Sequence, residues 1–108
     1  MRNVTIAVGC LGVALLCGRA LAQKKGDAAK GKEVFEQCQV CHNADSDEKK
    51  IGPGLKGLFK HDKLKNGKPV TEANVRAVID TGGNGMPPYA EMLSSEERDN
   101  LIAYLKTL

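Results

Sequence analysis

Cys38-Gln39-Val40-Cys41-His42 is the stretch from which the rest of the chain is best read. Two thiols stand one helical turn apart, with an imidazole directly after the second. That spacing lets both sulfurs reach the vinyl side chains of one porphyrin and form thioethers. The same turn points the imidazole at the iron from one face, and Cys-x-x-Cys-His is the attachment motif of a c-type haem. Two other chemistries use parts of this pattern. A zinc site wants four ligands, and beyond these three only His61 or a carboxylate could serve. A thioredoxin-like redox pair belongs in a βαβ surround, and no strand pattern flanks the motif.

The N-terminus weighs on the choice. Met1-Arg2-Asn3 is a short basic start, Val4 to Cys17 is almost wholly apolar, and Ala20-Leu21-Ala22 places small residues where a signal peptidase reads. This predicts a secretory signal peptide over 1–22, with cleavage before Gln23. An uncleaved signal would instead leave a membrane anchor, although Arg19 limits the apolar run to about 15 residues, short of the ~20 that span a bilayer. A lipoprotein signal fits less well, because neither Cys10 nor Cys17 follows a small-residue lipobox. Cleavage would remove Cys10 and Cys17 and leave Cys38 and Cys41 as the only cysteines, both consumed by haem, in a compartment where a disulfide would be allowed.

The expected mature chain, residues 23–108, has 86 residues and no Trp. A domain of that size buries a modest core, and a covalently held haem would act as its staple. Losing Arg2 and Arg19 takes 16 basic residues to 14, against 13 acidic ones. Such a near-neutral balance does not indicate nucleic-acid or membrane-surface binding.

Asp27 can cap a first helix, in which Gly31, Val34, Phe35 and Cys38 share one face and lead into the haem motif. Residues 43–50 are polar and aperiodic, hence a loop. Ile51-Gly52-Pro53-Gly54-Leu55 is a turn with apolar ends. Pro53 has no amide proton but offers a carbonyl, the kind of acceptor to which a metal-bound His gives its other ring proton. Thr71 caps a second helix with Val75, Val78 and Ile79 inward. Gly82 to Gly85 stops it, and Met86-Pro87-Pro88-Tyr89 continues as a stiff extended segment. Ser94 and Glu97 read as a capping box for a last helix, whose stripe is Leu101, Tyr104, Leu105 and Leu108.

An iron held by His42 has a second axial position. The mature chain offers two methionines, Met86 and Met92. Met86 follows a glycine run that allows close backbone approach and precedes two prolines that limit the entropy lost on ligation. Core filler is the common fate of a methionine, and Met92, just before the last helix, reads as packing.

Taken together, Gly31 to Phe35, Cys38 to His42, Gly52-Pro53-Gly54-Leu55, Gly85-Met86-Pro87-Pro88-Tyr89 and Leu101 to Leu105 stand in an order that resembles the class I bacterial cytochromes c. The resemblance spans the mature chain. It implies an all-α cytochrome c fold, with three main helices and loops wrapped around one haem c bound through Cys38 and Cys41. It implies His42 and Met86 as axial ligands, Pro53 buttressing His42 through its carbonyl, and Leu55 against the haem. It also implies a close crossing of the first and last helices, with Gly31 or Phe35 meeting Leu101 and Tyr104. The lysine-rich stretch from Leu55 to Thr71 matches no landmark of that pattern.

The expected function is a periplasmic, monomeric electron carrier that shuttles single electrons between transient redox partners. A Met ligand and an apolar pocket favour reduced iron. No acid, base or nucleophile constellation points to an enzyme. A subunit bound permanently to a dehydrogenase or oxidase is one alternative, marked by a contiguous exposed apolar patch. A gas sensor with a displaceable Met86 is another. Seven lysines (49, 50, 56, 60, 63, 65 and 68) face one acid, Asp62, between 49 and 68. That imbalance suits an acidic partner and steered encounter, with Lys106 expected to stand outside it.

Overall fold

The computed structural model describes residues 26–108; the expected signal peptide lies outside them. Three α-helices carry the fold: α1 (Ala28–Phe35), α2 (Glu72–Thr81) and α3 (Ser95–Leu105). Short 3₁₀ turns cover Glu36–Cys38 and Leu58–Lys60. Among the described residues the only β pairing is two isolated bridges, Lys63 with Pro69 and Gly83 with Met86, so the all-α expectation holds. No helix among the described residues is long and apolar enough to cross a membrane.

Each helix begins at the cap expected of it. The Asp27 carboxylate accepts from the amides of Ala29 and Lys30 at 2.9 and 3.2 Å. The Thr71 hydroxyl accepts from Asn74 at 3.0 Å. Ser94 and Glu97 form a reciprocal capping box at 3.0 and 2.8 Å. Each cap satisfies backbone donors the helix cannot, worth typically about 1 kcal/mol.

The core forms where α1 crosses α3. Gly31 is buried there because a Cβ would overlap the Asn100 carbonyl, so the helices approach to backbone contact. One turn on, Phe35 is 1% exposed and packs on Tyr104 with ring centroids 5.3 Å apart, tilted by 53°. The crossing implied by the family resemblance is thus split between two residues, Gly31 on the Asn100 backbone and Phe35 on the Tyr104 ring. Asn100 is itself buried, and its Oδ1 accepts from the Asp27 amide at 2.8 Å. Nothing in the apolar periodicity singled it out.

α2 adds Val75 and Ile79 to the core that holds Leu101, Ile102 and Leu105 of α3, and charge pairs tie the two helices outside it. Glu72, Arg76 and Asp80 form an i, i+4 stripe of alternating sign. Glu72 pairs with Lys106 at 3.0 Å, Arg76 with Asp99, and Asp80 with Arg98 at 2.7 Å. Lys106 is therefore engaged rather than free, and its ammonium also lies 6.0 Å from the Phe59 ring.

One local expectation needs correction. Met92 is 58% exposed: the amides of Met92 and Leu93 both donate to the Tyr89 carbonyl, and this turn sends Leu93 into the core and Met92 outward. Within the lysine-rich stretch the chain turns back on itself. The Leu64 amide donates to the Lys68 carbonyl at 2.8 Å and the Gly67 amide to the Leu64 carbonyl at 2.9 Å, which closes a tight turn.

Candidate haem site

α1 delivers the haem motif. The 3₁₀ turn at its end continues as Cys41 and His42 amides donate to the Cys38 carbonyl at 3.1 and 2.9 Å. Both thiols are free and half-buried. Burial, and then the neighbouring Cys41, push the Cys38 thiol up to about 11. It is therefore a neutral thiol at physiological pH, and conversion to a thioether strands no buried charge. Among the described residues no group of three or more His, Cys, Asp or Glu side chains could hold a metal ion by itself, so the geometry does not develop the zinc alternative.

His42 is held by the turn at 50–55, which straps across the motif. Its Nδ1 lies 2.8 Å from the Pro53 carbonyl oxygen. A carbonyl can only accept, so Nδ1 carries the proton and Nε2 keeps its lone pair for a metal. The Gly52 amide donates to the Cys41 carbonyl at 2.7 Å, and Lys50 Nζ donates to the Gln39 carbonyl at 2.7 Å. A Cβ at Gly52 would stand 2.6 Å from His42 Cε1, so only glycine lets the strap lie flat on the ring. The Leu55 amide donates to the Asn43 carbonyl at 2.8 Å, and its side chain is half-buried against the core.

Met86 stands on a different segment, at the end of a tight turn. The amide and carbonyl of Gly83 bond reciprocally with those of Met86 at 2.9 and 3.0 Å. Asn84 and Gly85 between them take φ of 53° and 93°, the left-handed pair that Asn-Gly supplies in two-residue hairpin turns. That dipeptide was legible as a hairpin signal, whereas the glycines alone read only as a helix stop. Past the prolines the chain is pinned again: Tyr89 donates to the Ile79 carbonyl at 2.9 Å and Ala90 to the Asp80 carbonyl at 3.3 Å. The Tyr89 phenol is raised above its ordinary value by burial, then by Cys38 and Cys41. Met86 itself is half-buried and hydrogen-bonded only within its own turn.

The residues fit a c-type haem. Two free thiols and an imidazole whose Nδ1 is engaged by Pro53 share one short turn. Leu55, Leu58, Phe59, Leu64, Val70 and Tyr89 are half-buried apolar side chains packed against the core, suited to a flat apolar macrocycle. Two side chains at the motif's outer edge were not anticipated: Val40 is 66% and Ile51 68% exposed. The Gly52 amide bond to the Cys41 carbonyl brings the residue after Ile51 to the residue after Val40.

Comparison with known proteins agrees with this geometry. The family model for cytochrome c matches residues 28–108. Cytochrome c2 of Rhodospirillum rubrum is 32% identical over 139 aligned positions, spanning 100% of this chain and 99% of that protein. Cytochrome c of Stellaria longipes is 38% identical over 101 positions, spanning 77% of this chain and 94% of the other. The crystal structure of cytochrome c6 from the diatom Phaeodactylum tricornutum superposes with a TM-score of 0.61 at 29% identity, covering 76% of this chain and 93% of that one. The chain belongs to the cytochrome c family of electron carriers, with one haem c attached through Cys38 and Cys41.

Proposed function

We propose that this chain is a periplasmic carrier of single electrons whose haem iron is held by His42 and Met86. The observation that carries the reading is the fixed His42 ring, its Nδ1 on the Pro53 carbonyl at 2.8 Å, in the same turn as both thiols. The haem supplies the one-electron couple. Pro53 holds the ring's tautomer and orientation and raises its basicity as a ligand. The Asn84-Gly85 turn and the two prolines present the Met86 thioether on a stiff backbone, so little reorganisation accompanies a change of redox state. Apolar residues around the site keep water out and, with a thioether ligand, favour the reduced iron.

Electron exchange in this account takes place at the motif's outer edge, with transient partners. Val40 and Ile51, both exposed, would give that edge an apolar contact for such partners. All seven lysines between 49 and 68 are exposed. None forms an ion pair among the described residues, whereas Arg76, Arg98 and Lys106 do. The loop just upstream carries Asp45, Asp47 and Glu48, so the net positive field comes from residues 56–68 and suits an acidic partner. The test is to isolate the exported protein and measure its intact mass and carbon monoxide binding when reduced. The expected result is Gln23–Leu108 plus one haem, inert to carbon monoxide. Ready carbon monoxide binding by the wild type would replace the carrier with a gas-binding protein.

A further inference from the structure

The segment carrying Met86 leaves α2 at Gly82 and enters α3 at Ser94. Both ends of it meet at one side chain. Arg98 Nη1 donates to Asp80 Oδ1 at 2.7 Å, and its Nε donates to the Ser94 carbonyl at 3.3 Å. The Arg98 side chain is 14% exposed and that of Asp80 28%, so this pair is shielded more than a surface ion pair, and removing one partner would leave the other partly buried and unpaired. Asp80 also accepts the Ala90 amide on its backbone carbonyl, next to the Tyr89–Ile79 bond. The guanidinium thus joins the last turn of α2 to the cap of α3, and the return of the segment is bonded to the backbone of Ile79 and Asp80 beside it.

We propose that Arg98 is a positioning residue for Met86. The proposal rests on the reading of Met86 as an iron ligand. Its mechanism is leverage through a stiff arm. Pro87 and Pro88 join Met86 to the pinned Tyr89 with fixed φ, so a shift at residues 89–90 is passed to the thioether instead of being absorbed between them. A guanidinium suits the task because its planar fork serves two acceptors at once, which an ammonium does less well. The other two ties between these helices differ in this respect. Arg76 reaches Asp99 and Ser95, and Lys106 reaches Glu72; neither holds the two ends of the Met86 segment together.

The test uses the haem-loaded protein with Arg98→Met, which keeps much of the apolar stem, Arg98→Lys, and Arg76→Met as a matched loss of a different tie. Asp80→Asn weakens the same bond and serves if Arg98→Met fails to fold. Three readouts are taken beside thermal stability: the sulfur-to-iron charge-transfer band, carbon monoxide binding to reduced iron, and amide hydrogen exchange at Tyr89 and Ala90. Arg98→Met is expected to speed exchange at both amides about tenfold or more, to weaken the band and to admit carbon monoxide. Arg98→Lys should recover part of each, and Arg76→Met should change none while still lowering stability. The proposal is overturned if Arg98→Met and Arg76→Met lose stability alike with the band, carbon monoxide inertness and exchange unchanged. Should Met86→Ala leave the band intact, the ligand reading fails separately, and the exchange at Tyr89 and Ala90 still decides whether Arg98 holds the two ends of the segment together.

Discussion

The Nδ1 of His42 and the carbonyl oxygen of Pro53 lie 2.8 Å apart, and the strap that makes this contact passes over the ring at Gly52 with no room for a Cβ. A side chain there would push either the imidazole or the strap, and both are anchored. Gly52→Ala should therefore lower the stability of the haem-loaded protein by about 1–3 kcal/mol, the usual cost of overpacking. Denaturant unfolding followed by haem absorbance measures it. A change within about 0.5 kcal/mol, as for an ordinary surface site, would show that the strap has slack.

Phe35 is the most deeply buried large side chain and stacks on Tyr104 across the helix crossing. Phe35→Ala should destabilise by about 3–5 kcal/mol, enough to threaten folding of so small a domain. Tyr104→Leu should cost less, since it removes the aromatic contact, worth roughly 0.5–1.5 kcal/mol, but keeps an apolar body. Equal losses for the two would place the core elsewhere.

Haem attachment should be a condition of folding. Residues 23–108 made in the cytoplasm without an attachment system should give a chain with weak helical signal and no cooperative melt, because the apolar side chains from Leu55 to Tyr89 are only half-buried against the core without haem. Circular dichroism with thermal melting reads this out. A well-folded colourless protein would contradict the prediction.

Exchange with an acidic redox protein should slow as salt rises, since screening shortens to about 8 Å near physiological ionic strength. Lys60→Glu with Lys63→Glu should flatten that dependence. Lys32→Glu, on an exposed face of α1, is the comparison. Lys106 cannot serve, because a glutamate there would face Glu72 and disturb the α2–α3 contact. Bimolecular rates at several salt concentrations decide the matter, and rates indifferent to salt would leave the lysines as solubilising charge only.

Much of this architecture was legible from local chemistry. Asp27, Thr71, Ser94 and Glu97 are strong caps because each satisfies donors within three residues of itself, so the helices start where simple rules place them. Gly31 and Phe35 were legible as a face because helical period is a short-range property. Residues whose partners are distant in the chain were not. Asn100 has no reason to be buried until Asp27, 73 residues away, offers its amide, and the Glu72, Arg76 and Asp80 stripe is an ordinary solvated face until α3 lies against it. Met92 was misjudged for the related reason that a methionine before a helix cap can face either way, and the Tyr89 turn decides. In the site, the thiols, His42 and the Pro53 acceptor follow from spacing within one short stretch. The bond from the Gly52 amide to the Cys41 carbonyl needs the strap to fold across the motif.

The measurement that tests the central claim most directly is the visible spectrum of the exported protein, oxidised and reduced, beside Met86→Ala and Met92→Ala. The account predicts low-spin iron in both states, with a sulfur-to-iron charge-transfer band in the oxidised protein that Met92→Ala keeps and Met86→Ala loses, the haem staying covalently bound throughout. A high-spin wild-type spectrum, or a band that survives Met86→Ala and vanishes with Met92→Ala, would contradict it.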